Sequence, residues 1–335
     1  MITVSYHANL KEIPAEIAAI FAHGQGPFDA LAWFDLCVEY NGLQPLLAVA
    51  QNGEHGAVWP LAEGPDGLRP LANWYAFTVG PIITPQADGL AMLTAIAADL
   101  KQAGHARITL WPMPDESGLA SLVTASLRRA GWIVGREVCD TNHHLMVAGR
   151  NFAQYLAARP GPLRSTLKRK AKKVDVILHA TWSEAAWQDY KAVYAASWKP
   201  EEGSPALLRA FAQQQGEAGQ LRLGLAYATL DGSYQPVAAQ LWTVEAGTAY
   251  IHKLAYHEAA KPLSPGTTLS AALFARVIDE DKVDVIDFGT GDDPYKRDWM
   301  EAQRPRYRIC AYRPDALTQW PAIAKCLAKR LLRRS

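Results

Sequence analysis

Hydrophobic and polar residues alternate along two neighbouring stretches of the chain, residues 44–51 and 55–62. An Asn52-Gly53 pair separates them, and this pair between two alternating runs is a strong signal for a β-hairpin. The pattern then predicts a third strand region, a helix, a strand, a second helix and a closing strand region. These elements cover, in order, residues 68–83, 88–104, 106–113, 117–131 and 132–147.

A second series with the same order of elements begins near residue 220. Its second and third strands are predicted to form a hairpin across Glu245-Ala246-Gly247. A helix follows, which Ser264 can cap and for which Pro265 suits the first helical position. The predicted strands, helix, strand, short helix and last strand cover residues 220–230, 235–244, 248–257, 264–280, 283–291, 293–302 and 306–313.

Both series therefore have the order β-β-β-α-β-α-β, and the chain of 335 residues is long enough for two cores. We predict a mixed α/β fold of two tandem domains, each a mixed, mostly antiparallel sheet flanked by helices. The domains are placed at residues 1–150 and 151–312, and a basic amphipathic helix at 313–335. Residues 152–215 are predicted to be a mostly helical segment in front of the second series.

Composition narrows the class of protein. The chain is 49% hydrophobic and 20% charged, with a net charge of +1, which is typical of a globular protein and gives no reason to expect a nucleic-acid partner. The four cysteines are scattered without a CxxC pair, so we expect no disulfide framework and no metal site. The first residues lack the basic and apolar regions of a signal peptide, and we expect a cytoplasmic protein.

Two segments carry an excess of positive charge. Residues 164–173 hold six basic residues and no acid, which is compatible with a phosphate or lipid-headgroup contact or with a solvated helix. The end of the chain is a second basic segment, in which one predicted helical face holds Trp320, Ile323, Leu327 and Leu331 and another holds Lys325, Lys329 and Arg333. Residues 318–335 are therefore expected either to lie on an anionic membrane surface, at the inner face of the cell membrane, or to pack against their own domain.

Two stretches of the second series stand out, "KLAYHEAAKPLSPGTTL" (253–269) and "DFGTGDDPYKRDW" (287–299). These stretches and the spacing between them resemble the GNAT superfamily of N-acyltransferases. They look like the tandem-GNAT branch, which includes Fem-type aminoacyl transferases and CelD-like proteins, where a Ser-Pro-Gly helix start is followed by Asp-Phe-x-x-Gly and an aromatic-Lys pair. The first series matches this branch only in the order of its elements.

The resemblance implies that an acyl donor binds at the start of the helix that follows Ser264. Backbone N–H groups of Gly266, Thr267 and Thr268 at a helix N-terminus can hold a pyrophosphate. This region has one glycine, Gly266, where typical GNAT enzymes carry Q/R-x-x-G-x-G/A. The carrier therefore stays open between acyl-CoA, acyl-carrier protein and aminoacyl-tRNA.

GNAT sites open where two central strands separate, and the resemblance places these strands at residues 248–256 and 283–289. Alternation along the first strand puts Tyr250, His252, Leu254 and Tyr256 on one face. His252 is then a candidate general base, or else a satisfied histidine within the sheet. Tyr256 is a candidate acid for the leaving group, or else a packing residue.

The stretch 287–299 is expected to close the site. Asp287 would end the second strand, and Gly289 and Gly291 would allow a substrate to approach the backbone closely. Asp292 and Asp293 are candidates for binding a cationic acceptor amine.

The aromatic-Lys pair of the family corresponds to Tyr295 and Lys296. The resemblance implies that Lys296 binds a phosphate or the polarised carbonyl; the alternative is a surface ion pair with a neighbouring aspartate. Trp198 and Lys199 lie where relatives carry an aromatic or basic pair next to the acceptor channel, and a solvent-facing loop is the alternative.

These features predict an enzyme that transfers an acyl group from a thioester, acyl-CoA or acyl-carrier protein, to a primary amine. The tryptophans and the basic segments favour a membrane-associated long-chain amine, such as a sphingoid base, as acceptor. An amino sugar of an envelope polysaccharide and a Fem-type aminoacyl-tRNA-dependent reaction are alternatives. A different class of protein, a GNAT-like protein that binds acyl-CoA or a lipid without turnover, is also compatible with the single glycine.

Overall fold

A computed structural model describes residues 1–332 of the chain, and their side chains as far as residue 328. The strands are β1 (Thr3–His7), β2 (Gln44–Asn52), β3 (His55–Glu63), β4 (Arg69–Pro70), β5 (Ile82–Ile83), β6 (Arg107–Met113), β7 (Ile133–Met146), β8 (Asp175–His179), β9 (Leu221–Leu230), β10 (Ser233–Glu245), β11 (Thr248–Tyr256), β12 (Val285–Thr290) and β13 (Ala302–Tyr312). The α-helices are α1 (Ala15–Ala18), α2 (Leu31–Asn41), α3 (Gly89–Gln102), α4 (Leu119–Arg129), α5 (Phe152–Ala157), α6 (Gly161–Lys170), α7 (Glu184–Ala195), α8 (Pro205–Glu217), α9 (Pro265–Ala275), α10 (Lys296–Trp299) and α11 (Trp320–Leu332).

The chain forms two compact units. Among the described residues, the first comprises 1–141 together with 304–332, and the second comprises 142–303. The chain passes between the units within β7 and within β13. The predicted fold class, a mixed α/β fold with two mostly antiparallel sheets, is confirmed, whereas the domain bounds 1–150, 151–312 and 313–335 stay a prediction.

The first unit contains the predicted hairpin. Strands β2 and β3 pair antiparallel from Gln44↔Glu63 to Asn52↔His55, so that the turn falls at Asn52-Gly53. β1 lies on the other side of β2, and β4 and β5 both pair with β3. Helix α3 begins at Asp88, whose carboxylate accepts the backbone N–H of Ala91, and this cap satisfies one of the free amides of the first turn.

The side chains of helix α11 do not form the single apolar face that was predicted. Ile323 is fully buried in the first unit, whereas Trp320 is 48% exposed and Leu327 is 39% exposed. The helix therefore packs inward along one line of residues and presents a second apolar line to solvent. The side chains of Leu331 and Lys329, and Arg333 altogether, lie outside the described residues. Among the described helices, none is long and apolar enough to cross a bilayer.

The second unit is built on strands in the order β7-β12-β11-β10-β9-β8. Helix α9 packs on one face of this sheet, and α7 and α8 pack on the other. Gly224 of β9 allows α9 to approach closely, because a Cβ at this position would lie 2.9 Å from methyl groups of Leu269 and Leu273. The core below α9 includes Trp242, Phe274 and neighbouring aliphatic side chains.

Strand β8 is a departure from the predicted helical segment 152–215. It pairs antiparallel with β9, from Asp175↔Tyr227 to His179↔Leu223. The strand has only five residues and follows the basic segment 164–173 without a turn signal, and its partner is distant in sequence. Its pairing is therefore set by tertiary contacts, which local periodicity does not report.

Candidate active site

The two central strands of the second unit separate, as predicted. β11 and β12 run parallel and pair only at Thr248↔Val285, Ala249↔Ile286 and Tyr250↔Asp287. The pairing ends at Tyr250↔Asp287, although β11 continues to Tyr256 and β12 continues to Thr290. Strand backbone groups that do not bond to a neighbouring strand need another partner, and a bound substrate can supply it.

A β-bulge at His252 corrects the predicted alternation along β11. Leu241 of β10 pairs with Lys253 and Trp242 pairs with Ile251, so His252 is the extra residue between them. His252 contacts Phe211 of α8, with ring centroids 5.1 Å apart. Leu254 and Tyr256, in contrast, pack against the core below α9. The two halves of the predicted face therefore lie on opposite sides of the sheet.

The environment of His252 argues against its predicted role as general base. Its Nε2 lies 2.7 Å from the hydroxyl oxygen of Thr243. Burial, with a smaller effect of the nearby Lys253 charge, lowers the pKa of His252 to about 3. An imidazole with this pKa is neutral at physiological pH but accepts a proton too weakly to be an efficient general base.

The helix start predicted to bind the donor is present. Ser264 adopts a left-handed conformation (φ 52°), and Pro265 is the first residue of α9. Gly266 and Thr267 lie in the first turn, where backbone N–H groups have no intrahelical acceptor. The N–H of Thr268 donates to the carbonyl of Ser264 at 3.3 Å. The first-turn amides and the positive end of the helix dipole together favour an anion here.

The side chain of Ser264 does not cap α9, which corrects that prediction. Its hydroxyl instead accepts a hydrogen bond from Nζ of Lys170 at 3.0 Å. Lys170 is the last residue of α6 and belongs to the basic segment 164–173. One charge of this segment is thus held at the helix start, a role that the sequence pattern did not indicate.

Tyr256 lies between the donor helix and the predicted acceptor side. Its ring centroid is 4.3 Å from that of Trp198. A Cβ at Gly266 would lie 3.5 Å from Cδ1 of Tyr256. Trp198 is 48% exposed, so this end of the site is open to solvent.

Charged side chains from three segments meet next to Trp198. The ammonium of Lys199 lies 5.9 Å from the centre of the Trp198 ring. Burial, together with the positive charges of Lys253 and Lys296, lowers the pKa of Lys199 to about 8, against the opposing effects of Glu202 and Asp293. Nζ of Lys253 donates to a carboxylate oxygen of Glu202 at 2.9 Å. The structure thus brings Lys199 together with the end of β12, a proximity that sequence alone did not predict.

Asp287 fixes the end of β12. It is 3% exposed, and its Oδ1 accepts hydrogen bonds from Nδ2 of Asn142 at 2.6 Å and from the backbone N–H of Gly289 at 2.8 Å. Asn142 also donates to the carbonyl of Gly289 at 2.9 Å, and Gly289 needs its left-handed φ of 65° for this turn. These bonds support a positioning role for Asp287 rather than the predicted substrate contact. Asn142, a fully buried polar residue within a strand, was missed by the sequence analysis.

Lys296 is buried, which rules out the alternative of a surface ion pair. The side chain is 4% exposed, and Nζ donates to the carbonyls of Phe288 at 3.1 Å and of Thr290. It also lies 5.3 Å from the centre of the Phe288 ring. A Cβ at Gly291, whose φ is 94°, would lie 3.6 Å from the same Nζ. The ammonium therefore ties the turn after β12 and adds positive charge to the site.

The surface ion pair of this segment is made by Arg297, which donates to Asp292 at 2.7 Å. The other carboxylate oxygen of Asp292 is 2.8 Å from Nε2 of the buried His143. These two contacts, the Arg297 bond first, lower the pKa of Asp292 below its ordinary value. Asp292 is thus engaged by the protein itself, and this arrangement leaves Asp293 as the better candidate for contact with an acceptor.

Tyr295 packs edge-on against Phe288, with ring centroids 5.7 Å apart, and is 39% exposed. Burial and the nearby Asp293 charge raise the pKa of its phenol, so the hydroxyl stays protonated and can donate a hydrogen bond. Gly291, Asp293 and Tyr295 therefore line the turn that Lys296 holds. Within the described residues, no group of three or more His, Cys, Asp or Glu is placed to hold a metal ion.

Comparison with known families supports this geometry. The family model described as an acetyltransferase (GNAT) domain matches residues 155–297, which include the donor helix, the separated strands and the turn after β12. No curated protein matches the chain in a sequence search.

Solved structures share the fold over nearly the whole chain. The structure of FemX has 9% identity and a TM-score of 0.63, and the match covers 92% of this chain and 96% of FemX. L-PGS from Bacillus licheniformis has 13% identity and a TM-score of 0.58, covering 96% and 97%. A tandem GNAT protein from the clavulanic acid biosynthesis pathway has 12% identity and a TM-score of 0.53, covering 92% and 98%. Residues 155–297 are therefore a GNAT acyltransferase domain, and the chain as a whole has the fold of FemX and of the tandem GNAT protein.

Proposed function

We propose that the protein transfers an acyl group from a thioester, acyl-CoA or acyl-carrier protein, to a primary amine. The observation that carries the proposal is the opening between β11 and β12. Tyr256 of β11 borders Gly266 at the start of α9 and contacts Trp198, over whose ring Lys199 lies. The opening offers strand backbone groups to the thioester, and the helix start offers amides to the donor's phosphates.

The donor end of the site supports a phosphate-bearing carrier. The first-turn amides of α9 are joined by Lys170, which is held on Ser264 at 3.0 Å. A lysine next to a helix start adds a charge to a site that already favours anions. Tyr256, beside Gly266, is placed to give a proton to the sulfur that leaves.

For the acceptor we propose a membrane-associated long-chain amine, such as a sphingoid base, which would give a ceramide-type amide. The exposed Trp198 at the open end of the site supports an acceptor with an apolar part. Amino sugars of envelope polysaccharides remain the alternative acceptor, and aminoacyl-tRNA the alternative donor.

We also propose that the protein is cytoplasmic and attaches peripherally to the inner face of the cell membrane through α11. Its exposed Trp320 and Leu327, the neighbouring Leu317 at 80% exposure and the exposed Lys325 form an apolar surface with adjacent positive charge. Such a surface suits the interface of an anionic bilayer.

The test is a transfer assay with defined substrates. Purified protein is mixed with acetyl-CoA or palmitoyl-CoA and with sphinganine or glucosamine; free thiol is measured by a colorimetric reagent and the amide by mass spectrometry. We expect amine-dependent thiol release and an amide of matching mass. Tight binding of the acyl-CoA without amide formation would instead support the alternative of a GNAT-like protein that binds acyl-CoA without turnover. Transfer from aminoacyl-tRNA alone would show that the donor is an aminoacyl-tRNA and not a thioester.

A further inference from the structure

An amine that attacks a thioester must lose a proton, and a side chain near the nitrogen has to accept it. His252 is unsuited, because it lies on the other side of the sheet from Tyr256 and the donor helix. Asp292 is unsuited as well, because Arg297 and His143 hold its two oxygens. The proton acceptor must therefore be sought at the open end of the site.

Lys199 lies at that end. Its ammonium is over the ring of Trp198, and this ring contacts Tyr256, which borders Gly266 at the donor helix. Trp198 is half exposed, so an amine can enter past it from solvent. Lys199 is thus next to the path between the acceptor entrance and the thioester.

The charges that face Lys199 come from four elements. Lys253 of β11 and Lys296 of α10 are positive, whereas Glu202 from the loop after α7 and Asp293 from the turn after β12 are negative. Glu202 bonds to Lys253 at 2.9 Å, which offsets part of its attraction for Lys199. Burial and like charges make the ammonium form of Lys199 less favourable, and its pKa falls to about 8. A substantial fraction of Lys199 is then neutral near physiological pH, as a general base requires.

We propose that Lys199 is the general base of the acylation and takes the proton that the acceptor nitrogen loses as the C–N bond forms. This inference rests on the proposed N-acyltransferase function. As the C–S bond breaks, the sulfur leaves with the electron pair and receives a proton from Tyr256. Lys199 gives its proton to solvent and Tyr256 regains one, so that the sum is an amide, a thiol and one proton moved from nitrogen to sulfur.

Replacing Lys199 by arginine tests whether the site needs proton transfer by this side chain or only its positive charge. Lys199→Arg keeps the positive charge and the contact with Trp198 but cannot lose its proton near neutral pH. We expect kcat/KM for the amine to fall by about 10²–10⁴-fold, the contribution typical of a general base. Lys191→Arg, an exposed lysine of the same segment on α7, is the matched control and should keep the wild-type rate.

The acceptor's own ionisation affects wild type and Lys199→Arg equally, so it cancels in the ratio of their rates on the same amine. This ratio should rise with pH and level off above about 8, where Lys199 is mostly neutral. Lys199→Gln should be as inactive as Lys199→Arg. Wild-type activity of Lys199→Arg, or a ratio that does not change with pH, would overturn the proposal and leave Lys199 as a source of charge.

A second measurement does not depend on turnover. Trace labelling of wild-type protein with acetic anhydride, followed by peptide mass spectrometry, gives the pH midpoint of each lysine. We expect Lys199 to have a midpoint near 8, below the ordinary lysine value of 10.5. A midpoint at that ordinary value would overturn the assignment even if transfer is observed. If no thioester is transferred to any amine, the proposed function fails while this midpoint still decides whether Lys199 is the neutral lysine of the site.

Discussion

Replacing Lys296 by methionine should destabilise the second unit, because the ammonium is buried and bonds to two backbone carbonyls. The carbonyls of Phe288 and Thr290 would lose this donor, and each buried polar group left without a partner costs about 1–3 kcal/mol. Methionine preserves the apolar stem and removes the cost of burying a charge, so the net loss should be about 2–4 kcal/mol. For a unit of this size that corresponds to roughly 5–15 °C in melting temperature.

The assay is thermal and urea unfolding of Lys296→Met beside Arg297→Met. Arg297 is the matched control, because it is adjacent and its pair with Asp292 is 59% and 48% exposed, which limits its contribution to about 1 kcal/mol. Equal melting of Lys296→Met and wild type would refute the reasoning that the ammonium ties the turn after β12.

Turnover of the same variant separates the structural role from a chemical one. Measured at a temperature where Lys296→Met is fully folded, kcat should fall by about two to three orders of magnitude if the ammonium also stabilises the polarised carbonyl. A destabilised but fully active variant would restrict Lys296 to holding the turn.

Three further outcomes are expected. The pKa of His252 is near 3 in the folded protein against an ordinary value of 6.5. The stability linked to this histidine is therefore complete above about pH 6.5 and is lost as the pH falls toward 3, by up to about 1.4 kcal/mol per pH unit. Urea unfolding of wild type between pH 7 and 5 should show this slope, and His252→Gln should flatten it. Gly266→Asp should weaken acyl-CoA binding in calorimetry, because it adds a negative charge at the helix start. The fold should stay intact, because a side chain there meets only Tyr256 at ordinary contact distance, and Gly266→Ala should bind nearly as wild type does. Equal binding by the aspartate variant would remove this helix start from the donor site. Trp320→Ser with Leu327→Ser should reduce sedimentation with anionic vesicles without lowering the melting temperature, whereas unchanged vesicle binding would mean that α11 is not the attachment surface.

The variants at α11 are point substitutions for a structural reason. Removal of residues 318–335 would also remove Ile323, which is fully buried in the first unit. A loss of vesicle binding by such a truncated chain could then reflect an opened core. Trp320 is 48% exposed and Leu327 is 39% exposed, so their replacement leaves the buried Ile323 in place.

Local signals in the sequence determined much of the second unit. The turn at Glu245-Ala246-Gly247 appears as a two-residue hairpin with Glu245↔Thr248 as its last pair. The Ser264-Pro265 step begins a helix, and residues 287–299 form a strand end, a turn and a short helix. These features depend on φ preferences and turn chemistry within a few residues, which a sequence shows directly.

Other properties of the site come from partners distant in the chain. Asn142 reaches Asp287 and Lys170 reaches Ser264, and neither contact has a local sequence signal. The bulge at His252 depends on the register with β10, and one extra residue is enough to reverse the faces of Leu254 and Tyr256.

The sequence by itself determined the order of strands and helices within the two series, the helix start at Ser264 and the family that these stretches resemble. The tertiary structure decided which charged residues are buried and which charges they face. The sequence left a surface ion pair as the alternative role for Lys296 in the charged run 292–298, yet the side chain is enclosed by the turn after β12. Lys199 acquires its lowered pKa only where burial and the charges of Lys253 and Lys296 combine. Desolvation and long-range electrostatic interactions depend on distances between atoms, and these distances exist only after the chain has folded.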